Sequence, residues 1–144
     1  MTWLFWALLS ALFAGLTAVL AKVGVQEIDS NLATAIRTSV ILVFAWAVAL
    51  FSTRVELAAL TMKTWGFLIL SGLATGASWL CYFRALKLGQ ASQVAPVDKL
   101  SVVVAMVLSV VFLGEHLKWQ QWLGGVLIVS GTLVIAYPWA MSGE

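Results

Sequence analysis

Charge is what this sequence has least of: eight Lys and Arg and six Asp and Glu make up only 10% of its 144 residues. A soluble domain of that length needs more charge to cover its surface, so the surrounding solvent is read as lipid. A net charge of +2 is too small to attract a nucleic acid, and no such partner is expected. The single cysteine, Cys81, excludes a disulfide or a cysteine metal site within one chain. The single histidine, His116, stands beside Glu115 in a short loop. It leaves a metal site short of ligands and no Ser–His–Asp or Cys–His set inside the membrane. Two prolines and few polar tracts leave no linker or disordered arm. A phosphate-binding loop is missing too, which excludes an ATP-driven pump in this chain alone. The expectations are no catalytic residue, no metal and no cofactor: a membrane protein that is not an enzyme.

What the chain does have is apolar length. Hydrophobic residues make up 62% of it, and the mean hydropathy is +1.03. About 20 apolar residues cross a hydrocarbon core of roughly 30 Å. Five stretches qualify, at about 3–21, 31–52, 65–84, 92–113 and 119–139. The first has no basic residue ahead of it and exceeds the roughly 7–15 residues of a signal-peptide core, so it is read as a retained helix. Trp3, Trp6, Trp65, Trp119 and Trp122 open the odd-numbered spans, and Tyr137 and Trp139 close the last, where amphipathic rings anchor at an interface. Gly72 and Gly76 form a G-x-x-x-G, the spacing that lets helices approach closely in lipid. The longest connection, around Arg54, Glu56 and Lys63, is too short for a separate domain, so residues 1–144 are read as one all-α membrane domain.

Two spans carry charge: Arg37 in the second, and Asp98 with Lys99 in the fourth. Both spans start from the same face. Arg37 follows Asn31 by six positions and Asp98 follows Ser92 by six, so each lies about 9 Å below its helix start. They stand at similar depth and could pair. One reading makes Arg37 a substrate or gating cation with Asp98 as its counter-ion; the other makes them a structural salt bridge. Lys99 is about 100° around the helix from Asp98, so it is expected to snorkel to the interface on its own. Pro96 marks either a kink or a first turn. Ser101, with Ala105 and Ser109, continues a small, slightly polar stripe on span four. Thr75, Trp79 and Tyr82 line one face of span three. An aromatic wall opposite a small-residue stripe suits a cavity for a small organic solute, and ordinary helix packing would use the same pattern.

Residues 78–135 carry a recognisable pattern. Trp79, Tyr82 and Phe83 lead into Arg84-Ala85-Leu86, then the small-residue turn from Gly89 to Ser92, Ala95-Pro96-Val97, and Leu113-Gly114-Glu115. A span with Gly124, Gly125 and Gly131 follows, and span two carries its arginine early. In these features the chain resembles the EamA family of the drug/metabolite transporter superfamily. The resemblance implies a secondary transporter of a small metabolite or drug-like solute, working by alternating access in the plasma (inner) membrane of a prokaryote. Most members have ten spans in two inverted five-span repeats, and this chain has one. A central cavity needs two inverted halves, so the expected partners are the bilayer, a small-molecule substrate and a second copy in an antiparallel homodimer. A four-span multidrug exporter would need a carboxylate within 3–21, which has none. An accessory subunit or a lipid-handling protein that needs a partner chain is the remaining alternative.

Loop charge bears on orientation. Arg54, Lys63 and Lys118 lie on the face of the N-terminus, and Lys22, Arg84 and Lys87 on the other. The positive-inside rule gives no bias from three against three, although adding Arg37 and Lys99 would tilt the count toward the second face. The chain is read as inserting both ways up or as only weakly oriented. Reporters fused to the C-terminus are expected to be active on both sides of the membrane. Activity on one side only would rule out dual insertion.

Overall fold

The computed structural model describes residues 2–52 and 60–137, so Arg54, Glu56 and Trp139 lie outside the described residues. The described residues are all-helical: α1 Trp3–Val25, α2 Ser30–Ser52, α3 Met62–Leu88, α4 Ala91–Asp98, α5 Leu100–Leu113 and α6 Trp119–Ala136. Five stretches are long and apolar enough to cross a membrane, because α4 and α5 together make one span, Ala91–Leu113. Hydropathy marks only the hydrocarbon part of a helix. The helices α1 and α3 therefore run past the expected ends at 21 and 84 into the polar layer, where Lys22 and Lys87 lie in their last turns.

Lipid offers no hydrogen bonds, so polar groups must be satisfied within the chain. Several helix hydroxyls do this by bonding back to their own backbone, whereas Ser30 Oγ is buried without a partner among the described residues. Thr34 Oγ1 donates to the Ser30 carbonyl at 2.8 Å and Thr38 Oγ1 to the Thr34 carbonyl at 2.7 Å. Ser130 Oγ donates likewise to the Val126 carbonyl at 2.9 Å. Helix ends need the same care, because their last N–H and C=O groups have no partner in the helix. At the start of α2, Asp29 Oδ1 accepts the backbone N–H groups of Asn31 (2.8 Å) and Leu32 (3.2 Å). Those two N–H groups, with weaker help from Lys87 and Arg84, hold the Asp29 carboxyl below the usual aspartate range. At the end of α3, Lys22 Nζ donates to the Leu86 carbonyl at 2.7 Å, while Lys87 Nζ reaches the Ile28 carbonyl at 2.7 Å. Two lysines thus tie the α1–α2 turn to the last turn of α3.

The chain divides into two compact units, Leu20–Leu88 and Met1–Val19 with Gly89–Glu144. In the first, α2 packs on α3, and Val25, Ala33, Phe83 and Leu86 are buried. In the second, α6 packs along both α4 and α5, with Gly125 and Thr132 buried. A Cβ on Gly125 would stand 3.4 Å from the Met106 methyl, so this glycine permits the close approach of α5 and α6. A Cβ on Gly72 or Gly76 would meet nothing within 4 Å among the described residues.

Span four is one span but two helices. Pro96 lies inside α4, where its missing N–H leaves the Ser92 carbonyl without its helical donor. The chain tightens just afterwards: the Lys99 N–H donates to the Pro96 carbonyl and the Val102 N–H to the Lys99 carbonyl, both at 3.0 Å and both one residue shorter than an α-helical step. Asp98 therefore sits at a break inside the span, seven residues past the start of α4, and not in a first turn. Gly114 ends α5 in the left-handed region, φ 68°. A side chain there costs about 1–2 kcal/mol.

Gly125→Leu is expected to lower the Tm of the purified protein, and Gly125→Ala to be tolerated because the Met106 methyl can shift. Gly72→Ala and Gly76→Ala, where a Cβ meets nothing within 4 Å among the described residues, should lower Tm less than Gly125→Leu does. Thermal unfolding in detergent reads all four. A larger loss at Gly76→Ala than at Gly125→Leu would reverse the assignment of the packed glycine.

Candidate functional site: an arginine over two aromatic rings

Arg37 is eighth in α2, so its Cα lies about 10 Å beyond the helix start. A charge at such depth costs at least about 2.5–3.5 kcal/mol on insertion scales unless something solvates it. Within the Leu20–Leu88 unit the solvating groups are aromatic. The guanidinium carbon lies over the Trp79 ring at 4.6 Å from its centroid and over the Phe83 ring at 5.4 Å. Both rings come from α3 and are four residues apart, which puts them one turn apart on one helix face. Phe83 is buried, while Arg37 and Trp79 are half-buried, so the cation remains accessible from one side. Tyr82 extends the aromatic surface, packing edge-on to Phe83 with centroids 6.3 Å apart. Thr75 lies one turn back from Trp79, exposed, its hydroxyl donating to the Ser71 carbonyl at 2.9 Å.

Phe83 is the member that the sequence reading did not place at the site. Its i+4 spacing from Trp79 was the available signal. An arginine in the facing span gives that spacing a purpose, because aromatic faces attract cations.

The other predicted residues belong to the second unit. Asp98 Oδ2 lies 3.4 Å from Lys99 Nζ, with side-chain exposures of 34% and 54% respectively. This corrects the expectation that Lys99 acts apart from its neighbour. The tightened turn at Lys99 and the four-carbon lysine stem bridge the angle that a straight helix would open between adjacent residues. Arg37 and Asp98 thus each have partners within their own units: two rings for one, an ammonium for the other. Ser101 is exposed on α5, and Ser109 Oγ donates to the Met106 carbonyl at 3.0 Å, so that hydroxyl is already committed. Pro96 and Lys99 help line an open groove of about 460 Å³ between α4 and α6, with Leu127, Gly131 and Thr132 opposite. Thr132 Oγ1 makes a long 3.4 Å hydrogen bond to the Pro96 carbonyl there. The groove is apolar apart from Lys99 and Thr132.

The Arg37–Trp79 contact should be measurable as a coupling energy. A double-mutant cycle of Arg37→Met and Trp79→Leu, followed by thermal or denaturant unfolding, is expected to give about 1 kcal/mol, between the exposed and desolvated limits for cation–π pairs. Strict additivity would mean that the rings do not stabilise the cation.

Comparison with known proteins adds the identity of the family. The sequence matches the EamA-like transporter family over residues 1–137. It is also 57% identical over 136 residues to a Sinorhizobium protein described as an uncharacterized transporter in the cobO 3'region; the match spans 94% of this chain and 96% of the relative. No solved structure matches. With the family matched over nearly its whole length and five membrane-crossing stretches in its fold, the chain belongs to the EamA-like transporter family.

Proposed function

We propose that this chain is a secondary transporter that moves a small organic solute by alternating access, with residues 1–144 acting as one half of an antiparallel homodimer. The observation that carries the reading is Arg37: a guanidinium inside a span, held by two rings and left partly accessible. Structural charges in membranes are costly and rare, and those that persist mark pathways and binding sites. Trp79, Tyr82 and Thr75 give that cation an aromatic wall with a polar foot. Asp98, at the break in span four, and Ser101 just beyond it are the proposed gating elements of the other unit. A non-α-helical turn at membrane depth is what transporters use where a helix must flex or bind.

The dimer rests on separate grounds. No span has more than 11% of its most apolar stretch buried, which leaves every span with apolar residues available to lipid or to another chain. Gly72 and Gly76, open within the described residues, offer α3 a face for close helix approach. Evenly divided loop charge allows both orientations. Energy would come from an ion gradient, and the membrane would be the inner one of a bacterium, as suits the Sinorhizobium relative.

The purified chain, reconstituted by itself, is expected to exchange a solute picked from a thermal-shift screen, because ligands stabilise what they bind. Asp98→Asn should weaken that exchange. Native mass spectrometry of the purified chain should show a dimer. Obligatory co-purification with a different chain, or binding of lipid without exchange of any solute, would replace the proposal with an accessory or lipid-handling role.

A further inference from the structure

We infer that the Arg37 guanidinium is an oxyanion site, which takes the carboxylate or phosphate group of the ligand while the ligand's apolar body lies against Trp79 and Tyr82. The inference deepens the transporter reading, which supplies the solute. It starts from the hydrogen-bonding capacity of the side chain. Guanidinium has five N–H donors in one plane. An aromatic ring attracts the cation through its face but offers no lone pair to those donors. The two rings therefore solvate the charge of Arg37 through their faces, and among the described residues of the Leu20–Leu88 unit its N–H groups make no hydrogen bond. Among the described residues of the Leu20–Leu88 unit, no carboxylate forms an ion pair with Arg37. The acidic side chains described there, Glu27 and Asp29, precede α2, and Asp29 already accepts two backbone N–H groups.

A planar fork of unused donors at the edge of an apolar wall selects for one chemistry. A carboxylate or phosphate presents two oxygens at the spacing that the fork fits, and the pair of charge-assisted bonds is stronger than any single neutral one. A neutral amide of the same shape offers one oxygen and no charge. A cation would be repelled. The site therefore discriminates by charge first and by apolar shape second. Two sources can supply such a group: a free solute and the headgroup of an anionic lipid. The depth of about 10 Å beyond the start of α2 lies below the headgroup layer of a bilayer whose core is roughly 30 Å, which favours the solute.

The test uses matched probes on the whole protein: phenylacetate against phenylacetamide, hexanoate against hexanamide, and inorganic phosphate, with unfolding followed by tryptophan fluorescence in neutral detergent. The expected result is that at least one oxyanion raises Tm progressively with concentration and its neutral counterpart does not. Arg37→Gln abolishes the shift. If that variant does not fold, Arg37→Lys, which keeps the charge and loses the fork, weakens the apparent affinity by about tenfold. A second arm compares phosphatidylcholine vesicles with and without phosphatidylglycerol; an Arg37-dependent shift seen only with phosphatidylglycerol assigns the oxyanion to a lipid headgroup.

Equal stabilisation by acid and amide overturns the site. So does a shift that survives Arg37→Gln, an unchanged affinity in Arg37→Lys, or no shift with any probe or lipid. Transport is separable from binding. Exchange of a neutral or cationic solute that is unaffected by Arg37→Gln removes the oxyanion site and leaves the transporter. An Arg37-dependent carboxylate shift without exchange of any solute leaves the site and removes the transporter.

Discussion

A charge below the membrane surface needs a partner that water cannot supply, and the contact of Arg37 with Trp79 and Phe83 meets that need without a second charge. Its consequences extend beyond the pair. The rings attract the guanidinium through their faces and offer no lone pair to its N–H donors, whereas a carboxylate partner would accept from them. The contact also links α2 to α3 about two turns in from the start of α2. Nearer that same end, Lys22 and Lys87 bind the carbonyls of Leu86 and Ile28. One unit is thus tied at two levels, by lysine–carbonyl bonds at the interface and by cation–π contacts within the apolar zone.

The other unit solves a different problem. Pro96 removes a backbone donor in the second turn of a span, where an unsatisfied carbonyl is expensive. The chain responds with two shortened hydrogen bonds around Lys99, dividing the span into α4 and α5. Asp98 and Lys99 sit at that division and neutralise each other at 3.4 Å. In the same unit, Gly125 lets α6 approach α5, and buried Thr132 reaches the backbone of α4 at Pro96. Backbone irregularity and charge coincide at one place: the tightened turn lets neighbouring side chains meet, and their mutual contact reduces the cost of their charges.

Much of this was legible before any coordinates. Hydropathy located five spans, because length in a bilayer is set by a fixed thickness and apolar residues must fill it. The positions of Arg37 and Asp98 along their helices could be counted from the sequence. The aromatic face of Thr75, Trp79 and Tyr82 followed from helical spacing. Less legible were the partners. Counting along each helix gives Arg37 and Asp98 similar positions but says nothing about which face turns toward which neighbour. The orientation of α2 on α3 brings rings to the cation. The separation of Lys99 from Asp98 failed for a related reason: it assumed a straight helix, and the tightened turn after Pro96 is a response of backbone geometry to a missing donor.

Composition and periodicity by themselves determined a membrane-spanning, all-helical chain with charged residues inside two of its spans, since transfer free energies depend on residue type and chain length alone. Only the tertiary structure decided how those charges are solvated, where span four breaks and which glycine carries packing. Those outcomes depend on the rotation of one helix about its axis relative to the next, and that angle is set by the summed contacts of many side chains that no single residue reveals.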